Sequence, residues 1–449
     1  MEKSPYRKCL QNTSGRMFTR EIEREMGIIS ISRTGFFPAG TFGLQEDYDL
    51  TLEALKGYIT SLKESGMLCI QLFLLPPPRY ELRLMNNIIL AMYGLRIESP
   101  DRHLIVLRSW DTMSFFVKKS PFTIEELRKI SDFAESREFD VVFPDLAVSR
   151  TFITGPDYRD IFMNLMHWKG LSVVKENYPF DIGVTTDDKP FLHYFLRLKH
   201  IKEIYALTGR KWTYFLYEGM ALPFVLMFLS IFSIALFVAT FLFFRRGNSN
   251  SKQLTCNFEL TTLCYFAVIG FAFMFIEVFF IHLFILPLGS PAASFATVLV
   301  TLLLSTGFGS IMSGYVKGKK VFYAMCTILF LLMMYYLLPA YLYTYSFSFL
   351  FLIPTGFLLG FYFPAGIKLL CGHDSRTIPL AYAMNGAASI ISPPLASVIA
   401  VSLGLKILLI LSCVLYGLAI LIIGNKLYLM HRPAGHFISS EPLRSLEQR

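Results

Sequence analysis

The chain has 449 residues, of which 54% are hydrophobic and only 17% are charged, and its mean hydropathy is +0.49. This composition excludes an ordinary soluble protein and predicts an integral membrane protein. The net charge of +9 could suggest nucleic-acid binding. However, many of the Lys and Arg residues adjoin apolar stretches, where they orient a membrane protein and meet anionic lipid. We therefore expect a lipid bilayer as partner and no nucleic acid.

The seven cysteines are scattered and form no CxxC pair. No histidine lies near them at a metal-ligand spacing, so we expect neither a metal site nor a disulfide framework. The first sixteen residues are polar and lack the apolar core of a cleavable signal peptide. The sequence therefore does not predict export by that route.

Residues 1–215 alternate short apolar runs with amphipathic helices. Runs of strand length lie at 27–32, 67–73, 103–107 and 114–117. Apolar residues at spacings of three and four predict helices ended by Gly66 and Gly94, and Thr123 with Glu126 forms a capping box that opens a third helix. The run at 67–73 is typical of a buried parallel strand. This order predicts the closing half of a nucleotide-binding α/β sheet, that is, a partial Rossmann-like domain.

Three stretches carry a resemblance to a known family: GRMFTREIEREMGIISIS, YDLTLEALKGYITSLKESGMLCIQLFLLPPPRYELRL and TTDDKPFLHYF. In this order and spacing they resemble the spermidine-synthase-like domain of a family of multi-pass bacterial membrane proteins. In that family an aminopropyltransferase- or methyltransferase-type Rossmann domain is joined to membrane helices. The later stretches GFAFMFIEVFFIHLFILPLGSP and GFLLGFYFPAGIKLL also follow the family's membrane half. The resemblance implies transfer from S-adenosylmethionine, or its decarboxylated form, to an amine such as a polyamine or to a lipid-soluble acceptor.

The chain departs from the family at the start of this domain. Family members have membrane helices before the domain, which itself opens with a strand and a glycine-rich turn for the nucleoside; neither precedes the predicted strand at 27–32. The family's catalytic aspartate follows that strand, where this chain has Arg33, which cannot accept a proton. We therefore expect that the first three strands are missing, as in an amino-terminally truncated family member. A single chain would then be incomplete or inactive as a transferase, and a partner chain would supply the missing half.

Two acidic groups in this part are candidates for substrate binding. Glu46, Asp47, Tyr48 and Asp49 lie where the family has an acidic and aromatic segment near its pocket, so they either face a polyamine or another cationic small molecule, or cap the following helix. Asp187 and Asp188 either hold a cation or basic substrate, or form a turn through their own side-chain hydrogen bonds.

Residues 216–428 are predicted to form an α-helical membrane bundle of about seven spans, followed by a polar tail at 429–449. Windows of roughly twenty apolar residues fit the thickness of a bilayer. They lie near 220–243, 261–285, 293–314, 321–343, 347–370, 379–402 and 405–424.

The charges beside these windows predict how the chain is oriented in the cell membrane. Lys and Arg follow the first, third, fifth and seventh windows, so these linkers are expected to be cytoplasmic. Seven crossings would then place the α/β part outside, whereas the basic residues at 197–211 favour the inside. We expect a cytoplasmic α/β domain.

Polar residues inside the membrane windows are the remaining site candidates. Glu277 lies in the middle of the second window, and it either binds a cationic substrate or proton, with Asn385 of the sixth window as a neighbour, or locks helix packing. His282 lies about 140° around the same helix, so a direct pair with Glu277 is not expected. These residues support an alternative function, a membrane transporter or carrier with a regulatory soluble part.

Overall fold

The computed structural model describes residues 26–33, 46–74, 76–145, 151–153, 158–166, 177–207, 209–210, 221–246, 256–316, 319–337, 345–368 and 377–430. The predicted tail lies outside the described residues from 431 onwards. The α/β part contains β1 (Met26–Arg33), α1 (Leu52–Ser61), β2 (Leu62–Phe73), α2 (Tyr80–Gly94), β3 (Leu104–Arg108), β4 (Thr112–Lys118), α3 (Ile124–Ser136), β5 (Asp140–Phe143), α4 (Tyr158–Met166) and α5 (Ile201–Leu207). The apolar part contains α6 (Ala221–Arg246), α7 (Cys256–Leu288), α8 (Pro291–Tyr315), α9 (Lys319–Tyr336), α10 (Tyr345–Leu359), α11 (Tyr362–Gly366), α12 (Thr377–Leu403) and α13 (Lys406–Met430).

The strands form one small mixed sheet in the order β1-β2-β4-β3-β5. Only β1 and β2 are parallel, and the other neighbours are antiparallel. The predicted strand at 67–73 is therefore parallel to β1 and antiparallel to β4. Gly66 does not end the first helix, because α1 already stops at Ser61 and β2 begins at the next residue.

The two faces of the sheet are covered differently. Side chains of β2 alternate, and Leu68, Ile70 and Leu72 are fully buried in a core shared with α1, α2 and α4. On the other face, α3 packs its Ala134 against β3 and β5. The predicted capping box of α3 is confirmed, since both of its hydrogen bonds form. The sheet is thus held between helices on both faces, and this packing also holds the ends of its strands in place.

A buried polar stripe on α2 holds the segment that leads to the membrane helices. Arg83 donates to the carbonyl oxygens of Phe191 and Leu192 at 3.0 and 2.8 Å, and Asn86 donates to the carbonyl of Ile182 at 2.9 Å. A segment that is neither helix nor strand lacks regular backbone hydrogen bonds, so its buried carbonyl groups need hydrogen bonds from side chains. This stripe therefore fixes residues 181–192 between the α/β part and the membrane helices.

Five helical stretches are long and apolar enough to cross a membrane: Thr261–Leu288, Pro291–Tyr315, Ser348–Gly366, Ile378–Leu403 and Lys406–Gly424. The chain is accordingly a membrane protein by the length and composition of its helices. Two shorter apolar stretches, Pro223–Leu236 and Lys320–Tyr336, coincide with the first and fourth predicted windows. Of the seven predicted spans, the described residues thus support five.

Small residues let α8 and α10 approach closely, as their spacing in the sequence indicates. A Cβ atom on Gly309 would collide with the backbone of Phe357, and one on Gly356 would lie 2.7 Å from the Cβ of Ser305.

The third described span is interrupted: α10 ends at Leu359, and α11 begins at Tyr362. Gly360 and Phe361 thus form a turn between two helical stretches of the same span.

Candidate functional site

Polar side chains gather where the parallel strands β1 and β2 end, and we call Arg33, Asp47, Asp49, Tyr80 and His193 the strand-end cluster. Arg33 is the last residue of β1, and Tyr80 opens the helix that follows β2. In open α/β sheets, ligands bind in the crevice outside the carboxyl ends of the strands. The cluster therefore occupies the part of the sheet where a ligand site is expected.

Two carboxylates share one guanidinium in this cluster. Nη2 of Arg33 lies 2.5 Å from Oδ2 of Asp49 and 3.5 Å from Oδ1 of Asp47. Burial alone would lower the pKa of Arg33, but the two carboxylates outweigh it and raise that pKa. Burial, and then repulsion from Asp47, raises the pKa of Asp49. Because the side chains of Arg33 and Asp49 are 27% and 33% exposed, both groups remain within reach of a ligand.

His193 and Tyr80 close the inner side of the cluster. Their ring centres lie 4.8 Å apart with the planes tilted by 59°, and Nε2 of His193 lies 4.0 Å from Oδ2 of Asp47. Burial, assisted by Arg83 and Arg33, lowers the pKa of His193 to about 4, although Asp47 opposes the shift. The ring is therefore neutral at pH 7, and with both aspartates ionised the strand-end cluster has a formal charge of −1.

The hydroxyl of Tyr80 is buried and has no hydrogen-bond partner among the described residues. Burial, and then the charge of Asp47, raises the pKa of this phenol, so it stays protonated and can donate. A buried polar group without a partner costs roughly 1–3 kcal/mol and is a common sign of a ligand or water site. The donor of Tyr80 and the carboxylates can thus serve one bound molecule.

Glu46 and Tyr48 contact the membrane helix α7 and are not part of the strand-end cluster. Oε1 of Glu46 accepts from Nδ1 of His282, and the hydroxyl of Tyr48 donates to the carbonyl oxygen of His282 at 3.4 Å. Phe191 packs edge-on against the same histidine at 6.2 Å. The sequence put these residues in separate candidate sites, whereas the structure brings Glu46, Tyr48 and His282 together as an attachment between the two parts.

Asp187 and Asp188 sit at the tip of a tight turn closed by Thr186 and Lys189. Asp187 accepts from the hydroxyl of Thr51, the N-cap of α1, at 2.8 Å. Asp188 accepts from the backbone N–H of Lys406, the first residue of α13, at 2.9 Å. A carboxylate at a helix N-terminus stabilises the free N–H groups and the positive end of the dipole. Each aspartate thus serves a different helix, one on each side of the interface.

The intramembrane candidates lie apart from these groups. Asn385 donates to the carbonyl of Phe266 at 3.1 Å and lies against Gly270, two turns before Glu277 on α7. Glu277 is 7% exposed, and its Oε2 has no hydrogen-bond partner among the described residues. Asn385 lines a cavity between the membrane helices, and Glu277 is not among the described residues that line it.

Sequence reasoning missed three members of the strand-end cluster as site residues. The sequence marks Arg33 only as a replacement for a catalytic aspartate, and no motif marks Tyr80 or His193. The signals were present, because His193 lies within the TTDDKPFLHYF stretch and Tyr80 follows the triple proline. Nothing in the sequence, however, indicates that segments more than 100 residues apart meet at one strand end.

Comparison with known proteins gives no match for this chain, neither to a family model, nor to a curated protein, nor to a solved structure. The class of protein is therefore defined by the fold alone: a helical membrane protein with a small mixed α/β part.

Proposed function

We propose that this chain is a membrane protein whose α/β part binds a cationic amine at the strand-end cluster. The observation that carries this proposal is the arrangement of Asp47 and Asp49 around the single guanidinium of Arg33. With His193 neutral, the cluster has one negative charge in excess. An ammonium group supplies the missing positive charge and the donors that carboxylate oxygens accept.

Transfer of a group to the bound amine is the further step that the resemblance to the spermidine-synthase-like family supports. An amine attacks only as a free base, so a nearby group must take its proton. Asp49 is best suited, because burial and Asp47 raise its pKa above the ordinary value. It would act in place of the aspartate that the family carries where this chain has Arg33. The donor would be S-adenosylmethionine or its decarboxylated form: the new C–N bond forms as the C–S bond to the transferred group breaks, and the neutral thioether, S-adenosylhomocysteine or methylthioadenosine, leaves.

Titration calorimetry of the detergent-purified chain tests the amine site and the donor separately. We expect saturable binding of spermidine, weakened roughly ten- to a hundredfold by Asp49→Asn, because one charged hydrogen bond is worth roughly 1.5–3 kcal/mol. Asp132→Asn, on the exposed face of α3, is the matched control and should not change the affinity. Unchanged affinity in a folded Asp49→Asn protein would refute the amine site.

The same sample is then titrated with S-adenosylmethionine, its decarboxylated form and methylthioadenosine. Binding of any of them supports the transferase step. A chain that binds spermidine but none of these donors would lack that step and remain an amine-binding protein. The predicted partner chain is tested by purification from the native membrane, where a stoichiometric second polypeptide is the expected result.

The contacts between the α/β part and the membrane helices indicate on which side of the membrane the α/β part lies. These contacts involve the last two turns of α7 and the start of α13, at Lys406. The Lys and Arg residues follow α6, α8 and α13 or precede α9 and α12, at the other ends of these helices. By the positive-inside rule those ends are cytoplasmic. We therefore propose an extracytoplasmic α/β part, contrary to the cytoplasmic location expected from residues 197–211, because domain-sized segments cross membranes largely regardless of their charge.

Cysteine labelling in sealed vesicles tests this orientation. Asp132→Cys reports on the α/β part and Lys252→Cys on the linker between α6 and α7. A membrane-impermeant maleimide should modify the two from opposite sides. Labelling of both from the same side would contradict the proposed orientation. Because the nucleoside donors are cytoplasmic, labelling from opposite sides would favour amine binding without the transferase step, and labelling from the same side would favour that step.

The transporter alternative rests on Glu277 and Asn385 acting together. Asn385 lies two turns away along α7, next to Gly270. Loss of uptake of a cationic substrate in Glu277→Gln, with spermidine binding intact, would support this alternative over the amine-binding function.

A further inference from the structure

A cavity of about 350 Å³ lies between the membrane helices, and it is independent of the strand-end cluster. Helices α7, α8, α10, α11, α12 and α13 all contribute to its wall. Its volume falls within the range of small-molecule sites, which are roughly 300–1,000 Å³. The cavity is therefore large enough to hold an organic ligand and not only a water molecule.

The interruption between α10 and α11 forms part of this wall. Gly360 and Pro364 both line the cavity, and Pro364 has no N–H to donate to the carbonyl of Gly360, four residues earlier. A carbonyl that lacks its helical partner is tolerated at membrane depth only inside protein or beside a cavity with polar contents. A donor on a bound ligand would satisfy it.

The side chains that line the cavity are neutral and present both hydrogen-bond acceptors and donors. None of the described lining residues carries a charge. The hydroxyl of Thr306 donates to the carbonyl of Leu302 at 2.7 Å, and that of Ser389 donates to the carbonyl of Asn385 at 2.9 Å. A hydroxyl that has spent its hydrogen can still accept. The wall thus favours a neutral ligand that can both donate and accept a hydrogen bond, and it excludes an unpaired charge.

One wall of the cavity faces lipid. Leu303, Gly307 and Ser310 of α8 line the cavity and are also exposed on the surface of the chain. Leu303 is 56% exposed, and α8 is one of the helices long and apolar enough to cross a bilayer. A molecule can therefore enter from the hydrocarbon layer between lipid-facing side chains.

We propose that this cavity binds a membrane lipid that carries a hydroxyl group on an apolar chain. The hydroxyl would donate to the acceptors around the helix interruption, and the chain would lie along Ile269, Phe273 and Leu359. A fatty acid fits less well, because its carboxylate would be buried without a cation. A plain hydrocarbon fits less well, because it leaves the acceptors unsatisfied.

Gly307 offers a way to add bulk to the wall of the cavity without disturbing the helices. A Cβ atom at Gly307 meets no atom within 4 Å, so Gly307→Leu extends into open space. Gly314 lies on the same helix, two turns later, and also has no atom within 4 Å of a Cβ, but it is not among the lining residues. Gly314→Leu is therefore the matched control.

The test uses the full chain in nanodiscs with a photoreactive diazirine derivative of hexadecanol. We expect saturable labelling, mapped by mass spectrometry to peptides of α8, α11 or α12 and competed by unlabelled hexadecanol. Gly307→Leu should lower this labelling about tenfold, as the loss of one well-placed contact does, and Gly314→Leu should leave it unchanged.

Several results would overturn the proposal. A diazirine hexadecane that labels the same peptides equally well would show that the hydroxyl is not recognised. Labelling confined to peptides outside the lining helices would place the lipid elsewhere. A folded Gly307→Leu protein labelled like the original, or a Gly314→Leu protein that loses labelling equally, would show that the cavity is not the site.

Discussion

Asp188→Ala should loosen the attachment between the α/β part and the membrane helices. The carboxylate of Asp188 accepts from the N–H of Lys406 at 2.9 Å, and its backbone carbonyl accepts from the N–H of Leu405 at 2.8 Å. Only the first bond is lost on substitution. Loss of a helix cap costs about 1 kcal/mol, and loss of a charge at the helix N-terminus costs about 0.3–1 kcal/mol. We expect a total near 1.5 kcal/mol, or roughly a tenfold change in the opening equilibrium.

Hydrogen exchange of the backbone amides measures this effect at the site itself. The amide of Lys406 should exchange about tenfold faster in Asp188→Ala, and that of Leu405 should change less. Asp188→Asn keeps an acceptor and loses the charge, so an intermediate rate is expected. Asp132→Ala is the control. Exchange at Lys406 that stays at the original rate in Asp188→Ala would refute the cross-interface cap.

Three further predictions concern other parts of the same interface and site. Gly404→Ala should lower the thermal unfolding midpoint, because the φ angle of Gly404 is +100° and a Cβ atom there would collide with the carboxylate of Asp188. Gly417→Ala is the control and should not lower the midpoint, because a Cβ atom at Gly417 meets no other atom within 4 Å. His193→Gln should flatten the loss of stability on acidification, measured by thermal unfolding from pH 7 to pH 4. Burial lowers the pKa of His193 to about 4, so the contribution of this residue to the free energy of unfolding is full above pH 6.5 and is lost as pH falls through 4. The same dependence of stability on pH in His193→Gln and in the original protein would contradict this. Arg83→Met should destabilise the fold by about 3 kcal/mol or more in denaturant titration, because the carbonyls it serves are left buried, and a loss below 1 kcal/mol would contradict that role.

Local signals in the sequence predicted the elements of the α/β part well. The capping box of Thr123 and the strands near 27–32 and 103–107 depend on neighbouring residues, and the structure has them with bounds shifted by one or two positions. Gly66 failed as a helix end, because pairing with β1 takes over at Leu62. Long-range pairing therefore outweighed the local stop signal.

The candidate site was predicted only in part, because its residues come from four separate segments. Asp47 and Asp49 lie in an acidic segment that the sequence singles out, but which groups they meet depends on the end of β1 and on Tyr80 and His193. The attachment of Glu46 to His282 joins residues 236 positions apart. Periodicity and spacing carry no information on such contacts, which are set by the packing of whole elements.

The attachment between Glu46 and His282 also has a consequence for how the chain is made. A ribosome adds roughly 5–20 residues per second, so His282 emerges on the order of 10–50 s after Glu46. During that interval the face of the α/β part that will later meet α7 and α13 has no counterpart from its own chain. Nascent chains halted before His282 should therefore bind chaperones or be cleaved by protease at this face, and chains halted after Lys406 should be protected.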